Sequence, residues 1–260
     1  MLYLQADMKK SFLIILFLMP FLCCQAGNVR RYRAVAVRDY PHDENSYTQG
    51  LFFLDGQMYE STGQYGSSTF RKVDLESGKA LRRFDFKKKY FVEGSCALDG
   101  KIFILTWTSK VAFVYDAGSL EYETSYSYPR EGWGLTTDGE SLVASDGSST
   151  LFFMDKDFKL KKSLKVTMDG RPVAYLNELE YIDGKIWANV YMTDLIVAID
   201  PENGNVVFTV DCTGLLPDSL RDERTDVLNG IAFNPTDGRI YLTGKYWKKL
   251  YEIKLEEKKD

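Results

Sequence analysis

The stretch LFFLDGQMYES, residues 51–61, places an Asp-Gly pair between two apolar runs. This arrangement is a strong hairpin signal, because both residues tolerate the positive φ angles that a two-residue turn needs. The same pattern occurs five times, with the aspartates 44, 39, 45 and 54 positions apart. The turns are Asp55-Gly56, Asp99-Gly100, Asp138-Gly139, Asp183-Gly184 and Asp237-Gly238. Repetition at this period predicts an all-β chain folded as a five-bladed β-propeller, with one blade per repeat.

The two ends of the domain complement each other. The fifth repeat stops after its third strand, and only the polar tail 256–260 follows. We predict that the N-terminal strand at residues 32–37 completes the last blade, because this pairing closes the ring and covers an exposed strand edge. The long final spacing comes from residues 213–227, a polar and charged insertion for which we predict a surface loop or short helix.

The first 26 residues have the features of an export signal. Lys9-Lys10 precede an apolar stretch, residues 12–22, that is too short to span a bilayer and suits the apolar core of a signal peptide. We predict cleavage after Ala26 and a periplasmic or secreted propeller domain, residues 27–260. The alternative is a lipoprotein signal acylated at Cys23 or Cys24, in which case a lipid anchor attaches the protein to the membrane.

Cysteine and histidine usage narrows the chemistry. Cys96 and Cys212 remain in the mature domain, where they could form a disulfide in an oxidising compartment or stay as buried thiols. The single histidine, His42, excludes a zinc site built on several imidazoles. Any Ser-His-Asp or Cys-His scheme would have to use this one residue. We therefore expect chemistry that runs on carboxylate, amide, lysine and aromatic groups.

The charge of the chain argues against nucleic acid as a partner. The 33 basic and 37 acidic residues nearly balance, and no basic run suits nucleic acid beyond Lys87-Lys88-Lys89. That run is typical of a solvated strand edge. We expect a monomer that binds no nucleic acid.

Counting from the repeated turns predicts which side chains meet at one mouth of the propeller. Seven positions beyond the turn glycines, the second strands end at Gly63, Trp107, Asp146, Tyr191 and Lys245. The first strands begin six positions before the turn aspartates, at Gln49, Glu93, Gly132 beside Trp133 and Asn177, and in blade five at the equivalent residue Asn229. If these positions had only a structural role, small residues would be sufficient to fill them. A carboxylate, a lysine, amides and large aromatic residues together predict a functional site.

Glu93 is the residue that we predict to transfer protons. Phe91 lies just before it, and Trp107 and Trp133 are expected beside it, so burial should raise the pKa of the carboxyl group. A carboxyl group with a pKa nearer neutrality can take up a proton and return it. The alternative is a structural ion pair with Lys245, which would keep the carboxylate ionised.

Motifs spread over the chain resemble the glutamine cyclotransferases of plants and bacteria. They run in order from about residue 40 to residue 253. They are His42-Asp43, Tyr47-Thr48-Gln49-Gly50-Leu51, Tyr59-Glu60-Ser61-Thr62-Gly63, Glu131-Gly132-Trp133-Gly134-Leu135, Ser145-Asp146-Gly147-Ser148, Asn177-Glu178-Leu179-Glu180-Tyr181, Trp187-Ala188-Asn189-Val190, Leu228-Asn229-Gly230-Ile231-Ala232 and Thr243-Gly244-Lys245-Tyr246-Trp247.

The resemblance implies a metal-independent propeller enzyme without a cofactor. Such an aminoacyltransferase converts N-terminal glutaminyl residues of peptides or proteins into pyroglutamyl residues and releases ammonia. The resemblance makes Glu93 the proton-transfer residue. Lys245 and amide donors from Asn177 or Gln49 could stabilise an oxyanion, and the sequence does not decide among them. The substrate-binding residues that the resemblance implies are Gln49, Tyr47, Phe91, Trp107 and Trp133, and the count from the turns adds Tyr191 and Asn229. Tyr191 departs from the family, which usually has a tryptophan there.

Two other classes of function stay open at the level of sequence. A calcium-dependent propeller lactonase could use oxygen ligands from Asp146, Asn177, Asn229 and Glu93, although the Lys245 ammonium would oppose a cation. A propeller that binds peptides or glycans without catalysis could use the same aromatic cage.

Overall fold

A computed structural model describes residues 29–258, which form strands and one 3₁₀ helix over Asp218–Leu220. The predicted export segment, with its cleavage position and cysteines, lies outside the described residues. Within those residues, no helix has the length and apolar character needed to cross a membrane. The strands are β1 (Arg30–Pro41), β2 (Thr48–Leu54), β3 (Gln57–Thr62), β4 (Thr69–Val73), β5 (Ala80–Asp85), β6 (Val92–Leu98), β7 (Lys101–Thr106), β8 (Val111–Asp116), β9 (Tyr122–Ser127), β10 (Leu135–Thr137), β11 (Leu142–Ala144), β12 (Thr150–Met154), β13 (Leu160–Lys165), β14 (Thr167–Met168), β15 (Arg171–Pro172), β16 (Leu176–Ile182), β17 (Lys185–Val190), β18 (Leu195–Ile199), β19 (Val206–Asp211), β20 (Leu228–Asn234), β21 (Arg239–Gly244) and β22 (Lys249–Glu257).

The strands form five antiparallel blades of four strands each. Blades one to four are β2–β5, β6–β9, β10–β13 and β16–β19, and blade five consists of β20–β22 with β1. The inner strands β2, β6, β10, β16 and β20 pack against one another, and β20 packs against β2. These contacts close the ring, so the predicted five-bladed propeller is confirmed.

The N-terminal strand closes the ring as predicted. β1 pairs antiparallel with β22, from Tyr32 opposite Glu257 to Pro41 opposite Lys249. The first residues of β1 also pair parallel with β19, beginning with Arg30 opposite Phe208. This second pairing joins blades four and five into one sheet of eight strands, which the repeat pattern did not indicate.

The hydrophobic core is divided into five clusters, one between each pair of neighbouring blades. Side chains of a strand alternate between its two faces, so each blade contributes to two clusters. In β7, Ile102 and Ile104 face blade one, whereas Phe103 and Leu105 face blade three. The blades are thus held together by apolar packing on both faces, with water excluded from every interface.

Three of the five repeated Asp-Gly pairs form the predicted two-residue turns. At Asp55, Asp99 and Asp183 the aspartate has a φ near +50°, and the flanking residues pair directly. Asp138-Gly139 corrects the prediction, because four residues separate Thr137 from its partner Leu142. The Asp138 carboxylate accepts hydrogen bonds from two backbone N–H groups of this longer turn, at 2.7 and 2.9 Å. The fifth turn is also four residues long, because Asn234 pairs with Arg239.

The burial of particular side chains shows how the insertion at residues 213–227 is attached and whether the two cysteines are paired. The insertion at residues 213–227 contains the 3₁₀ helix, but Leu215 and Leu216 are buried in the cluster between blades four and five. It is therefore anchored rather than wholly superficial. Cys96 and Cys212 are both buried free thiols. They lie in different interblade clusters, so they do not form a disulfide.

Two buried carboxyl groups of β16 connect three blades near the axis. Glu178 accepts hydrogen bonds from the backbone N–H groups of Leu51 in blade one, at 3.2 Å, and Ile231 in blade five, at 2.8 Å. Glu180 accepts one from the N–H of Phe233, at 2.9 Å. Burial raises the pKa of Glu180 to about 8. Burial and the neighbouring Glu180 raise the pKa of Glu178 as well.

We expect the stability of the propeller to decrease between about pH 4.5 and about pH 8. Glu180 has a folded-state pKa above its unfolded value, so its stabilisation is complete below about pH 4.5 and is lost as pH rises through about 8. The free energy of unfolding should decrease by on the order of a few kcal/mol across this window. Chemical denaturation at several pH values measures it. Glu180→Gln should flatten the dependence, whereas the exposed control Glu202→Gln should not, and parallel curves for all three proteins would contradict this account.

Candidate active site

Nine of the ten predicted site residues line one cavity of about 220 Å³. The cavity lies at the mouth of the propeller where the first strands begin and the second strands end. Its walls combine aromatic rings with one carboxyl group, one ammonium group and two amides. The lining residues are Tyr47, Gln49, Phe91, Glu93, Trp107, Trp133, Asn177, Tyr191 and Lys245.

The polar residues of the inner strands occupy irregularities in the β ladder. The pairing of β2 with β3 shifts register around Gln49, that of β6 with β7 around Glu93, and that of β16 with β17 around Asn177. A fourth shift, around Asn229, occurs in β20. A β-bulge leaves a residue outside the regular ladder and redirects its side chain. The same device in four blades therefore directs four polar side chains toward the axis.

The second ring of residues directly follows the second strands. Trp107, Tyr191 and Lys245 come immediately after β7, β17 and β21. In each case the backbone N–H donates a hydrogen bond of 2.9 Å to the carbonyl group that lies two positions before the bulge residue, on Phe91, Tyr175 and Val227. Because this local geometry repeats from blade to blade, residues at the same distance from each turn lie at the same mouth of the propeller. Gly63 occupies the same place in blade one, where a Cβ would lie 2.3 Å from the Phe91 ring.

Blade three provides Trp133 from outside its short inner strand. The flanking Gly132 and Gly134 permit a close approach, since a Cβ at Gly134 would lie 2.0 Å from the carbonyl oxygen of Asn177. The carbonyl of Trp133 accepts a 2.7 Å hydrogen bond from the N–H of Gly94, which follows Glu93. Trp133 and Glu93 are thus fixed relative to each other by the backbone. Asp146, the blade-three member of the second ring, does not line the cavity.

The aromatic residues form two connected walls. On one side, Phe91 packs edge-on against Tyr47 and Trp107, with ring centroids 6.0 and 5.6 Å apart. On the other, Trp133 packs edge-on against Tyr191 at 5.6 Å. Edge-to-face pairs of this kind fix ring orientation as well as burying surface. Tyr191 fills the place of the tryptophan that the family usually has, and it keeps the wall aromatic.

Glu93 is 5% exposed and lies at the base of these walls. Burial raises the pKa of its carboxyl group well above the ordinary value. The positive charge of Lys245 opposes this increase, and the negative charge of Glu131 adds to it. The ionised form is therefore less stable than that of an ordinary glutamate, as expected for a group that transfers protons.

Lys245 contacts aromatic rings rather than the Glu93 carboxylate. Its Nζ lies 4.5 Å from the ring centroid of Tyr47 and 4.9 Å from that of Tyr191. In the part of the chain that the structure describes, it forms no ion pair with Glu93 within 4.0 Å. Burial lowers the pKa of Lys245, against the opposing charges of Glu93 and Asp226. The structural ion pair considered as an alternative is therefore absent.

The amide groups are arranged in two layers. Asn229, the one predicted residue that does not line the cavity, is fully buried behind Gln49. Its Nδ2 donates to the carbonyl oxygen of Thr48 at 2.9 Å and to Oε1 of Gln49 at 3.2 Å. Because Oε1 of Gln49 is occupied in this way, its Nε2 is left to face the cavity as a donor. Asn177 is 2% exposed and provides the second amide of the wall.

The single histidine, His42, has a structural role outside the cavity. The ring of His42 is buried, with Nδ1 2.7 Å from the carbonyl oxygen of Trp247 and Nε2 3.0 Å from a carboxylate oxygen of Glu60. Arg71 contacts the same Glu60 carboxylate. His42 does not line the cavity, so it serves no nucleophilic scheme there.

The arrangement does not fit the calcium site that the sequence left open. Of the four proposed oxygen ligands, Asp146 and Asn229 do not line the cavity. Within residues 29–258, no group of three or more His, Cys, Asp and Glu side chains is placed to hold a metal ion. The Lys245 ammonium group lines the same cavity, where its positive charge would repel a calcium ion.

Sequence reasoning did not identify Glu131, which touches two of the cavity's tryptophans. Its Oε2 accepts hydrogen bonds from Nε1 of Trp107 at 2.8 Å and from Nε1 of Trp133 at 3.3 Å. A signal existed in the sequence. Residues two apart in an extended segment point to the same side, so the position of Glu131 two residues before Trp133 could have indicated that the two side chains meet.

The axial cavity of this five-bladed propeller holds a buried carboxyl group among aromatic walls. These features define an enzyme that performs acid–base chemistry. This chain belongs to the glutamine cyclotransferase family, whose sequence model matches residues 14–255.

Two relatives show how far the similarity extends. A glutaminyl-peptide cyclotransferase of Arabidopsis thaliana is 41% identical over 228 residues, which are 85% of this chain and 71% of that protein. The crystal structure of Myxococcus xanthus glutaminyl cyclase aligns with a TM-score of 0.82 at 36% identity, over 88% of this chain and 99% of that one.

We expect Gly94→Ala to destabilise the protein, because Gly94 allows the bulge at Glu93 to pack against blade three. A Cβ at this position would lie 2.4 Å from the backbone nitrogen of Leu135. Overpacking of this kind costs about 1–3 kcal/mol, measurable by thermal unfolding. Gly118→Ala is the control, since its Cβ would meet only a carboxylate oxygen of Asp116 at 3.5 Å. Equal melting temperatures for the two variants would show that the contact between the blades is looser than described.

Proposed function

We propose that this chain converts N-terminal glutaminyl residues of peptides and proteins into pyroglutamyl residues and releases ammonia. The observation that carries the proposal is the burial of one carboxyl group, Glu93, in a small aromatic cavity that also holds Lys245 and the amide of Asn177. Membership of the glutamine cyclotransferase family supports the same reaction, as does the identity to the Arabidopsis glutaminyl-peptide cyclotransferase.

The size of the cavity suits one terminal residue of a peptide. Its volume of about 220 Å³ is below the roughly 300–1,000 Å³ that is usual for sites of drug-sized ligands. Aromatic walls restrict a glutamine side chain to compact conformations in which its amide carbon lies near its own α-amine. Holding reacting groups together in this way removes part of the entropic barrier. The rest of the bound peptide would extend out of the cavity through its open mouth.

Glu93 carries a proton from one nitrogen to the other. The neutral α-amine attacks the side-chain amide carbon, a C–N bond forms, and the carbonyl oxygen becomes an oxyanion. The Glu93 carboxylate accepts the proton that the attacking nitrogen loses. As the intermediate collapses, the bond to the amide nitrogen breaks and Glu93 returns the proton, so that ammonia leaves. The nucleophile belongs to the substrate, and no serine or cysteine is needed.

Three donors are available for the developing oxyanion. Lys245 supplies a cation whose position is fixed by the Tyr47 and Tyr191 rings. Gln49 supplies the amide nitrogen that Asn229 leaves free, and Asn177 supplies another amide in the same wall. Donors fixed in advance in a site without bulk water stabilise charge that appears only in the transition state.

We expect Glu93→Gln to abolish cyclisation while keeping substrate binding. The amide has nearly the same shape but cannot accept and return the proton, so kcat should fall by about 10²–10⁴. Ammonia release from a Gln-initiated peptide measures turnover, and calorimetry with the same peptide measures binding. Glu140→Gln, at an exposed turn of blade three, is the matched control.

Three results of this assay would contradict the proposal. The first is absence of ammonia release by the folded wild-type protein. The second is full turnover by Glu93→Gln, which would remove Glu93 from the reaction. The third is loss of turnover in the presence of a chelator, which would favour the calcium-dependent alternative.

We further propose that the protein is exported and acts as a monomer on peptide substrates outside the cytoplasm. The charged and apolar pattern of the first 26 residues supports export. We expect intact-mass measurement of the full chain expressed in a bacterial host to give a product that begins at Gly27, and light scattering to give the mass of one chain. A product acylated at Cys23 or Cys24 would favour the lipoprotein alternative, and an uncut chain would contradict export.

A further inference from the structure

One carboxylate oxygen joins the two tryptophans of the cavity across neighbouring blades. Oε2 of Glu131 lies 2.8 Å from Nε1 of Trp107, which follows the second strand of blade two, and 3.3 Å from Nε1 of Trp133, which belongs to blade three. An indole has a single donor and no acceptor. This carboxylate therefore takes up the whole hydrogen-bonding capacity of both rings.

The backbone fixes the position of Glu131. The N–H of the next residue, Gly132, donates to the carbonyl oxygens of Thr106 and Trp107, both at 3.2 Å. A Cβ on Gly132 would lie 2.7 Å from the Cβ of Leu105, so only glycine allows this approach. Glu131 is thus attached to the end of β7, next to one of the rings that it contacts.

The contribution of Glu131 is to geometry more than to stability. The side chain is exposed at the mouth, and solvent-exposed charged contacts contribute little to folding. Hydrogen bonds to a carboxylate are nonetheless directional, and the one from Trp107, at 2.8 Å, has the length of a charge-assisted bond, whereas the one from Trp133 is longer, at 3.3 Å. Without them, Trp107 keeps its edge-on contact with Phe91 and Trp133 keeps its contact with Tyr191. No shared contact then holds one indole relative to the other, so the distance between the two walls is less closely fixed.

We propose that Glu131 is a positioning residue for the cyclisation, which holds Trp107 and Trp133 at the separation that compacts a glutamine side chain. This inference rests on the proposed function. Glu131 reaches the reacting atoms only through the two rings, and its carboxylate stays in solvent at the rim.

The charge of Glu131 has a second effect, on Glu93. Burial raises the pKa of Glu93, Lys245 lowers it, and Glu131 raises it. The other titratable groups that face Glu93 are Tyr47 and Tyr191, whose own pKa values are raised, so they are uncharged near neutral pH. Removing the Glu131 charge should therefore lower the pKa of Glu93, and its ionised form should persist to lower pH.

Two variants separate the contact from the charge. Glu131→Ala removes the acceptor, and we expect kcat/KM for a Gln-initiated peptide to fall about tenfold or more, the size expected for losing hydrogen bonds to a charged group. Glu131→Gln keeps an acceptor oxygen but not the charge. We expect it to retain most of kcat/KM while the acidic limb of its pH profile moves to lower pH. Glu140→Gln, on the same blade at the opposite end, should behave as wild type.

The indole N–H signals in ¹⁵N-edited spectra provide a readout that does not depend on turnover. The chain has four tryptophans, and Trp107→Phe and Trp133→Phe identify the two relevant signals. Both should shift in Glu131→Ala, and much less in Glu131→Gln. Unshifted signals, or an unchanged kcat/KM in Glu131→Ala, would overturn the proposal. A wild-type protein that releases no ammonia would instead overturn the proposed function, and the spectra would still test whether Glu131 holds the rings.

Discussion

The structure depends on closure of the ring by β1. The five blades pack side by side around one axis, and the last of them obtains its outer strand from the beginning of the domain. Pairing of β1 with β22 completes blade five, and its added parallel pairing with β19 joins that blade to blade four. Once the ring is closed, five interblade clusters become dry and the inner strands converge on one axis. Glu93 and Lys245, which belong to different blades, become neighbours only through this closure.

The site is built from departures from regular β structure. Strands provide the framework, but the polar residues of the inner ring lie where the ladder shifts register, at Gln49, Glu93, Asn177 and Asn229. Blade three has no such shift and instead contributes a glycine-flanked tryptophan. Asn229 shows that the same local geometry can serve two purposes, since its side chain orients Gln49 rather than facing the cavity. A repeated fold thus becomes asymmetric by changing the residue at one repeated position.

The sequence predicted much of this because local rules repeat with the blades. Turn chemistry located the hairpins, and fixed offsets from the turns identified Glu93, Trp107 and Lys245 as residues of one mouth. The offsets failed where turn length varied, as at Asp138, whose side chain accepts backbone hydrogen bonds and lengthens the loop. They also could not locate Asp146 and Asn229 relative to the cavity, because bulges and loops decide where a side chain points. Glu131 was missed because its contact with Trp107 spans two blades and depends on the backbone path of Gly132.

The pairing of Tyr32 with Glu257 has a consequence for how the protein folds during its synthesis. β1 is made before the other described strands but is among the last to be paired, because its longest pairing is with β22. Contacts between such distant segments make folding slow, and the unpaired edges of a growing chain are prone to aggregation. Individual blades can assemble during synthesis, but the cavity requires residues from all five blades and exists only after the ring has closed. Enzymatic competence should therefore appear in a single late step, when the chain is complete.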